Sequence, residues 1–198
     1  MHVGEYEDGS GDTGAVEATD HLKASLAAGV ALANAFGSAT RQGKPATRPD
    51  ADAVEAVLRL TTKHTPDVEP AGYAAGGKVL YDALSGLPDV DRAVELINGL
   101  LKDTKAAPQL TRREGAPWHL HFGSPDDATG WLAEFATAVA MLLGSDDVER
   151  LRQCEAARCD DLFLDTTRNH TQRFCSTACQ NRTKVAAHRA RPASSTTS

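Results

Sequence analysis

Apolar residues recur at helical spacing through much of the first 145 residues and predict a series of amphipathic helices. We expect the first helix to run from Asp20, which can cap it, to about residue 36. Three further helices are expected at 51–63, 72–85 and 90–102. The clearest apolar stripe, in the last of them, consists of Val90, Ala93, Val94, Ile97, Leu100 and Leu101. Such stripes usually form a helical core, so they indicate packing and not a ligand site.

The pattern changes to alternation after Pro108 and predicts a β-hairpin with strands at 109–111 and 118–122. A further helix is expected to start at Ser124-Pro125-Asp126-Asp127 and to end at Gly144. Its predicted buried face consists of Trp131, Leu132, Phe135, Val139, Leu142 and Leu143. The part of the chain before the cysteines is therefore expected to be mainly α, with one small hairpin.

His119 and His121 are the one pair of side chains in this part of the sequence that could carry chemistry. Alternation places Trp118, Leu120 and Phe122 on one face of the second strand and both histidines on the other. Two imidazoles at this spacing can share a metal ion or an anionic effector, with Asp126 or Asp127 as the nearest third ligand. The alternative is a strand whose outer face is simply polar.

The N-terminal segment 1–19 is acidic, rich in glycine and short of large apolar side chains, so we expect it to be poorly ordered. It contains no apolar stretch typical of a secretion signal, and no later stretch is long and apolar enough to span a membrane. A reducing, cytoplasmic location is the expectation that follows.

All four cysteines lie in the last quarter of the chain as two close pairs, Cys154 with Cys159 and Cys175 with Cys179. Four thiolates in this arrangement satisfy the tetrahedral preference of zinc. Two disulfides are the competing interpretation, and a reducing compartment argues against them. Because four protein sulfurs fill the coordination shell, we expect one structural zinc ion and not a catalytic one.

The residues around the cysteines predict a small hairpin followed by a helix. The predicted elements are a strand at 162–165, a turn at 166–171, a returning strand at 172–174, an N-cap at Ser176 and a helix at 177–189. Apart from Phe163 and Phe174 this segment has little apolar surface to bury. Metal binding is therefore expected to supply most of its folding free energy.

The cysteine segment resembles the CGNR zinc finger over about forty residues. The similarity is carried by Cys154-x4-Cys159, Phe163-Leu164-Asp165, Arg168-Asn169, Arg173-Phe174-Cys175-Ser176 and Cys179-Gln180-Asn181-Arg182. Gln180 replaces the glycine of the family signature. If that glycine serves a close approach or a positive φ, either the local backbone geometry differs here or the glycine is dispensable. The zinc ligands are unaffected.

The preceding part resembles, more loosely, the ABATE domain that usually accompanies this finger. The similarity lies in the first apolar helix with Asn34, in Leu120-His121-Phe122, and in the tryptophan-containing helix that leads to the cysteines. The resemblance implies an ABATE-like domain at 20–146, a finger at 147–191 and a flexible tail at 192–198. It also implies a stress-induced transcription regulator.

Charge is distributed unevenly, since residues 150–198 carry nine Lys/Arg against four Asp/Glu in a chain of net charge −6. A basic segment favours a polyanion such as DNA, although it could instead dock on the acidic body or on a second copy. The candidate contacts are Arg168, Asn169, Arg173, Asn181, Arg182, Lys184, His188, Arg189 and Arg191. Asn181 and Arg182, which match the family signature, either contact DNA or brace the zinc loops.

These observations together predict a mainly α protein of the α+β class: a helical N-terminal domain followed by a small zinc-stapled hairpin-helix finger. The predicted function is a DNA-binding transcription regulator whose helical domain is a sensor of a small-molecule effector or a homodimerisation module. The alternative is a zinc-containing ligand-sensing or protein-interaction protein that does not bind nucleic acid. We expect no enzyme, because the sequence has neither a phosphate-binding glycine loop nor a nucleophile paired with a base.

Overall fold

A computed structural model describes residues 14–62, 65–112, 118–124 and 126–190, with side chains from residue 20 onwards. The helices are α1 (Gly14–Gly37), α2 (Ala51–Leu58), α3 (Pro70–Ser85), α4 (Val90–Asp103), α5 (Ala128–Leu143) and α6 (Thr177–Ala190), with a 3-10 turn at Asp146–Arg150. The strands are β1 (Thr40–Arg41), β2 (Lys44–Pro45), β3 (Gln109–Thr111), β4 (His119–His121), β5 (Leu151–Gln153) and β6 (Leu162–Leu164). They pair as three antiparallel hairpins, β1–β2, β3–β4 and β5–β6. The predicted mainly α fold with small β-hairpins is confirmed.

The core lies between α1, α3, α4 and α5, which pack against one another through their apolar faces. Its fully buried large side chains include Leu32, Tyr73, Leu80, Leu84, Ile97 and Phe135. The stripes predicted on α4 and α5 supply much of this core, and Gly144 follows the last residue of α5 as predicted. Among the described residues, no helix combines the length and apolar composition needed to cross a membrane.

Gly76 and Gly77 allow α3 to approach its neighbours closely. A Cβ on Gly76 would lie 2.5 Å from the Cδ atoms of Leu132 in α5, and a Cβ on Gly77 would lie 2.8 Å from Cδ2 of Phe36 in α1. The two glycines lower the helix propensity of α3. Tertiary packing offsets this loss, and the helix is continuous.

The predicted start of α1 and the predicted end of α2 are both wrong. Helix α1 begins at Gly14, so residues 14–19, which we expected to be poorly ordered, are helical, whereas 1–13 lie outside the described residues. Helix α2 stops at Leu58 instead of residue 63. The backbone N–H and the hydroxyl of Thr61 both donate to the carbonyl of Leu58, at 2.9 Å each, and this turn closes the helix.

The start of α5 also differs from the prediction. The N-cap is Asp127, whose carboxylate accepts a hydrogen bond of 2.8 Å from the N–H of Gly130. Ser124, the first residue of the predicted helix start, lies outside the helix and donates a hydrogen bond from its hydroxyl to Asp126. An aspartate at the cap position satisfies one of the free N–H groups of the first turn, and the helix therefore begins at Ala128.

The β3–β4 hairpin has the predicted strands, with Gln109 opposite His121 and Thr111 opposite His119. Its apolar residues do not pack on the core, since Trp118 is 60% exposed and Leu120 is 46% exposed. The guanidinium of Arg112 lies over the Trp118 ring, 4.8 Å from its centroid. The hairpin thus extends from the helical body with its apolar face open.

In the cysteine segment, β6 pairs with β5 and not with residues 172–174, so the predicted hairpin is wrong. The reason lies in Asp165, whose buried carboxylate accepts hydrogen bonds from the N–H groups of Thr167 and Gln172. Arg152 adds hydrogen bonds to the carbonyl oxygens of His170 and Gln172. The side chains of Asp165 and Arg152 thereby occupy backbone N–H and carbonyl groups that a returning strand would need for pairing with β6.

Candidate metal centre

The four cysteine sulfurs converge on one point. All four Sγ atoms lie within 4.8 Å of one another, and the distances from Cys175 to Cys159 and to Cys179 are both 3.8 Å. Four sulfurs bound tetrahedrally about 2.3 Å from one zinc ion would lie about 3.8 Å apart. A disulfide would require about 2.05 Å. The donor set therefore fits one structural zinc ion, as predicted, and the disulfide alternative is wrong.

Turns and hydrogen bonds of the local backbone position each pair of cysteines at this point. The N–H of Cys154, directly after β5, donates to the carbonyl of Asp161, and Arg158 turns the chain back with a φ of 59° before Cys159. In the second pair, the hydroxyl of Ser176 accepts a hydrogen bond from the N–H of Cys179. The predicted N-cap is thus confirmed, and Cys179 lies in the first turn of α6.

N–H groups point at three of the sulfurs. The backbone N–H of Gln42 donates to Cys159, that of Cys175 donates to Cys154, and the guanidinium of Arg182 donates to Cys179, each at 3.4 Å. Such donors stabilise the negative charge of zinc-bound thiolates and orient the ligands.

The free thiols differ in acidity. Burial raises the pKa of the Cys159 and Cys175 thiols. Burial would also raise the pKa of Cys179, but hydrogen bonds from Arg182 and Ser176 outweigh it and lower that pKa to about 7. Zinc must displace the thiol protons when it binds, so binding of the metal and deprotonation are coupled.

Arg182 braces the two cysteine loops against each other. Its Nη1 donates to the carbonyl of Ala157 at 2.6 Å, and its Nη2 reaches the sulfur of Cys179. Gly43 lies directly against the guanidinium, with a φ of 92°, and a Cβ there would be 2.6 Å from Nη1. Of the two roles considered for Arg182, bracing is therefore the one the geometry supports.

The β1–β2 hairpin of the body is built onto the first cysteine loop. Thr40 donates to the carboxylate of Asp160 through both its N–H and its hydroxyl, at 2.7 and 2.8 Å, and its carbonyl accepts from the N–H of Asp160. Asp161 accepts from Ser38 and from Nε of Arg41, at 3.1 and 2.8 Å. The finger is therefore not an independent module.

Asn34 makes a second connection between body and finger. Its Nδ2 donates to the carbonyl of Leu162 at 2.8 Å, and its Oδ1 accepts from the N–H of the same residue at 2.7 Å. Helix α1 is thus hydrogen-bonded to β6 through a buried amide. The sequence singled out Asn34 only by resemblance; a polar residue on an apolar helix was the one available signal.

The predicted DNA-contacting residues fall into three groups. Exposed side chains with no hydrogen bond or ion pair to any described residue are Arg168, Asn169, Asn181, Lys184, His188 and Arg189. Arg173 is paired with Glu155 at 2.7 Å, and Arg182 braces the zinc loops. Arg191 lies outside the described residues.

A groove of about 550 Å³ runs beside the first turn of α6. Its lining combines polar side chains, Thr167, Thr171, Gln172, Arg173, Thr177 and Gln180, with the apolar surface of Phe174. The sequence did not predict this groove, because it depends on the loop that the Asp165 carboxylate organises.

His119 and His121 lie on the same strand, but among the described residues only His121 belongs to a cluster of possible metal ligands. Their ring centroids are 6.5 Å apart, His119 is exposed, and Asp126 and Asp127 are used at the start of α5. His121 instead lies beside Glu134 of α5 and His21 of α1. The sequence missed both partners, although an acid within the apolar face of α5 was a usable signal.

Glu134 is held as a carboxylate. Burial alone would raise its pKa, but His121, His21 and the N–H of Phe122 lower it to about 2. The hydrogen bond between His21 and Glu134 also raises the pKa of the His21 imidazole.

Fold and site together define a four-cysteine zinc-finger protein whose finger is built onto a helical domain. Residues 73–146 match the ABATE family, described as a putative stress-induced transcription regulator, and residues 150–192 match the CGNR zinc finger. The two matches follow one another along the chain, in the order that the sequence indicated. No curated protein matches it.

Proposed function

We propose that the protein is a non-enzymatic, DNA-binding transcription regulator whose zinc finger contacts the phosphate backbone. The supporting observation is the set of exposed cations without partners among the described residues: Arg168, Lys184, His188 (when protonated) and Arg189. Lysine and arginine side chains that neutralise phosphates release counterions, which favours binding to DNA of any sequence.

The acidic residues of the finger do not cancel this charge locally. Asp160 and Asp161 are bound by the β1–β2 hairpin, Asp165 is buried in its own loop, and Glu155 is paired with Arg173. The acidic body contacts the finger through the first two of these residues. Among the cations of α6, Arg182 lies against Gly43 of the hairpin, whereas Lys184, His188 and Arg189 have no hydrogen bond or ion pair with a described residue, which supports their being available to phosphates.

The groove beside α6 extends this proposal to hydroxyl and amide contacts. Gln180, Lys184 and His188 follow one another at i, i+4 spacing on α6, and Gln180 also lines the groove. Hydroxyl and amide groups commonly join lysine and arginine in binding phosphate and sugar, and they fix the register of a protein on the duplex. We assign no residue to reading the bases.

The test is a fluorescence-anisotropy titration of the zinc-loaded, full-length protein with duplex DNA at several salt concentrations. Replacing Lys184 by glutamine should weaken binding to all sequences and reduce the salt slope by about one unit, and Arg189→Gln should act in the same way. The matched control is Lys102→Gln, an exposed lysine of α4 in the body, which should leave binding unchanged.

Absence of DNA binding at low salt, with zinc bound, would contradict the proposal. The favoured alternative would then be a protein-interaction or ligand-sensing role, and one observation supports it: Leu110, Trp118 and Leu120 form an exposed apolar face on β3–β4. In either case we propose that the helical domain serves as the sensor or dimerisation module, and that the protein acts in the cytoplasm, whose reducing conditions favour thiolates over disulfides.

A further inference from the structure

A second cluster of metal-ligating side chains lies in the helical body, away from the cysteines. His21 of α1, His121 of β4 and Glu134 of α5 each direct one donor atom to the same place, and these atoms lie within 4.8 Å of one another. Nε2 of His21 is 3.0 Å from one oxygen of Glu134, and Nδ1 of His121 is 3.8 Å from the other. Three separate elements are therefore needed to assemble the cluster.

His21 and Glu134 are at hydrogen-bond distance, 3.0 Å, whereas His121 and Glu134 are at the separation of two ligands of one ion. A distance of 3.8 Å is too long for a hydrogen bond between His121 and Glu134. Two donors placed about 2.0–2.2 Å from one tetrahedral ion lie about 3.4 Å apart, so small side-chain movements would bring all three into coordination.

The carboxylate of Glu134 is also oriented as a metal ligand would be. It is only 4% exposed and lies within the apolar face of α5. The hydroxyl of Ser25 donates to one oxygen at 3.2 Å, and the N–H of Phe122 donates to the other at 3.0 Å. Outer hydrogen bonds of this kind fix ligating carboxylates and raise metal affinity.

The site remains open on the side of the imidazoles. The side chain of His21 is 31% exposed and that of His121 is 20% exposed, so an ion can enter from solvent. Three protein ligands leave at least one coordination position for water or a small anionic ligand, unlike the four sulfurs of the finger.

We propose that His21, His121 and Glu134 form a second metal site, which binds a first-row transition-metal ion of the Zn²⁺ class. Two imidazoles and one carboxylate suit Zn²⁺, Fe²⁺, Co²⁺ or Ni²⁺, and disfavour Ca²⁺ or Mg²⁺, which prefer oxygen ligands. Helix α1 carries His21 in its N-terminal half and Asn34, which is bound to the finger, near its C-terminal end. The same helix therefore joins the two metal centres.

The first experiment counts the metal bound to the full-length protein. The zinc-loaded protein is dialysed against a molar excess of Zn²⁺, and zinc per chain is measured by inductively coupled plasma mass spectrometry. The expected result is two ions per chain for the unmodified protein. One ion per chain, with the finger occupied, would overturn the proposal.

Variants locate the second ion. His21→Ala and His121→Ala should each bind one ion per chain, whereas the control His119→Ala, on the same strand but outside the cluster, should still bind two. Ser25→Ala should bind the second ion about 10–100-fold more weakly, because it removes a hydrogen bond that orients Glu134. Equal losses in the His119 variant would show that zinc binds to exposed histidines in general and would refute the site.

A measurement on the unmodified protein keeps the test valid if a variant fails to fold. On addition of the second equivalent of Zn²⁺, the ¹⁵N resonances of Nε2 of His21 and Nδ1 of His121 should shift, while those of His119 stay in place. Unchanged resonances of His21 and His121 would refute the assignment independently of any substitution.

Discussion

The guanidinium of Arg182 donates a hydrogen bond of 2.6 Å to the carbonyl of Ala157, and so joins α6 to the opposite cysteine loop. The same group reaches the sulfur of Cys179. Lysine cannot make both contacts from one planar fork. Arg182→Lys should therefore destabilise the zinc-loaded finger by about 1.5–3 kcal/mol, the range for hydrogen bonds of charged groups.

The measurement is the rate of zinc transfer to a chromogenic chelator, which should rise in Arg182→Lys. Arg189→Lys is the matched control, since Arg189 lies on the same helix without a partner among the described residues, and it should release zinc at the original rate. If Arg182→Lys retained zinc normally and lost only DNA affinity, the bracing role would be wrong.

Asn34 connects body and finger through the backbone of Leu162. Replacing it by alanine leaves the N–H and the carbonyl of Leu162 buried without that partner, at a cost of about 1–3 kcal/mol for each unsatisfied group. We expect Asn34→Ala to lose about 2–6 kcal/mol of unfolding free energy in urea denaturation. Asn98→Ala, at an exposed position of α4, should change it by less than about 0.5 kcal/mol. Similar losses in both variants would contradict this role.

Removal of zinc should loosen part of the body as well as the finger. The N–H of Gln42 donates to the sulfur of Cys159, and the N–H of Gly43 donates to the carbonyl of Arg158. Without zinc the first cysteine loop loses its fixed geometry, and these two acceptors are no longer held in place. Hydrogen exchange measured after chelation should be faster at Gln42 and Gly43.

The amides of α4, which belong to the helical core and not to the finger contact, provide the internal control. Their exchange should not change on chelation. Unaltered protection of Gln42 and Gly43 would mean that the β1–β2 hairpin holds its conformation without the metal.

The sequence predicted well those features that local spacing determines. The cysteine pairs are close in the chain and share one ion, so their spacing alone identifies the zinc site. The apolar stripes of α4 and α5 follow from helical periodicity in the same way.

Features that depend on distant partners were not predictable from spacing. The partner of β6 was misassigned because the Asp165 carboxylate binds the loop that reads as a returning strand. Glu134 and His21 are 113 residues apart in the chain, and no periodicity links them. From the sequence, Asp160 and Asp161 could be recognised only as charged residues. In the structure they accept hydrogen bonds from Thr40 and Ser38 and so connect the finger to the body.

Gly37 sets how closely the end of α1 approaches Tyr81 of α3. A Cβ on Gly37 would lie 2.0 Å from Cγ of Tyr81, and the phenol of Tyr81 donates a hydrogen bond of 2.9 Å to the carbonyl of Asp160 in the finger. Gly37→Ala must displace that ring, so we expect a loss of about 1–3 kcal/mol in unfolding free energy, together with faster zinc release.

Gly99 provides the opposite case within the same core bundle. A Cβ there would meet no described atom within 4 Å, and its position in α4 is exposed. Gly99→Ala should therefore stabilise the protein by up to about 1 kcal/mol through helix propensity, with no change in zinc release. Thermal and urea unfolding of Gly37→Ala and Gly99→Ala test the two predicted changes in stability. If both stabilised the protein equally, then the contact between Gly37 and Tyr81 would not constrain the fold, and the path from α3 to the finger through Asp160 would lose its support.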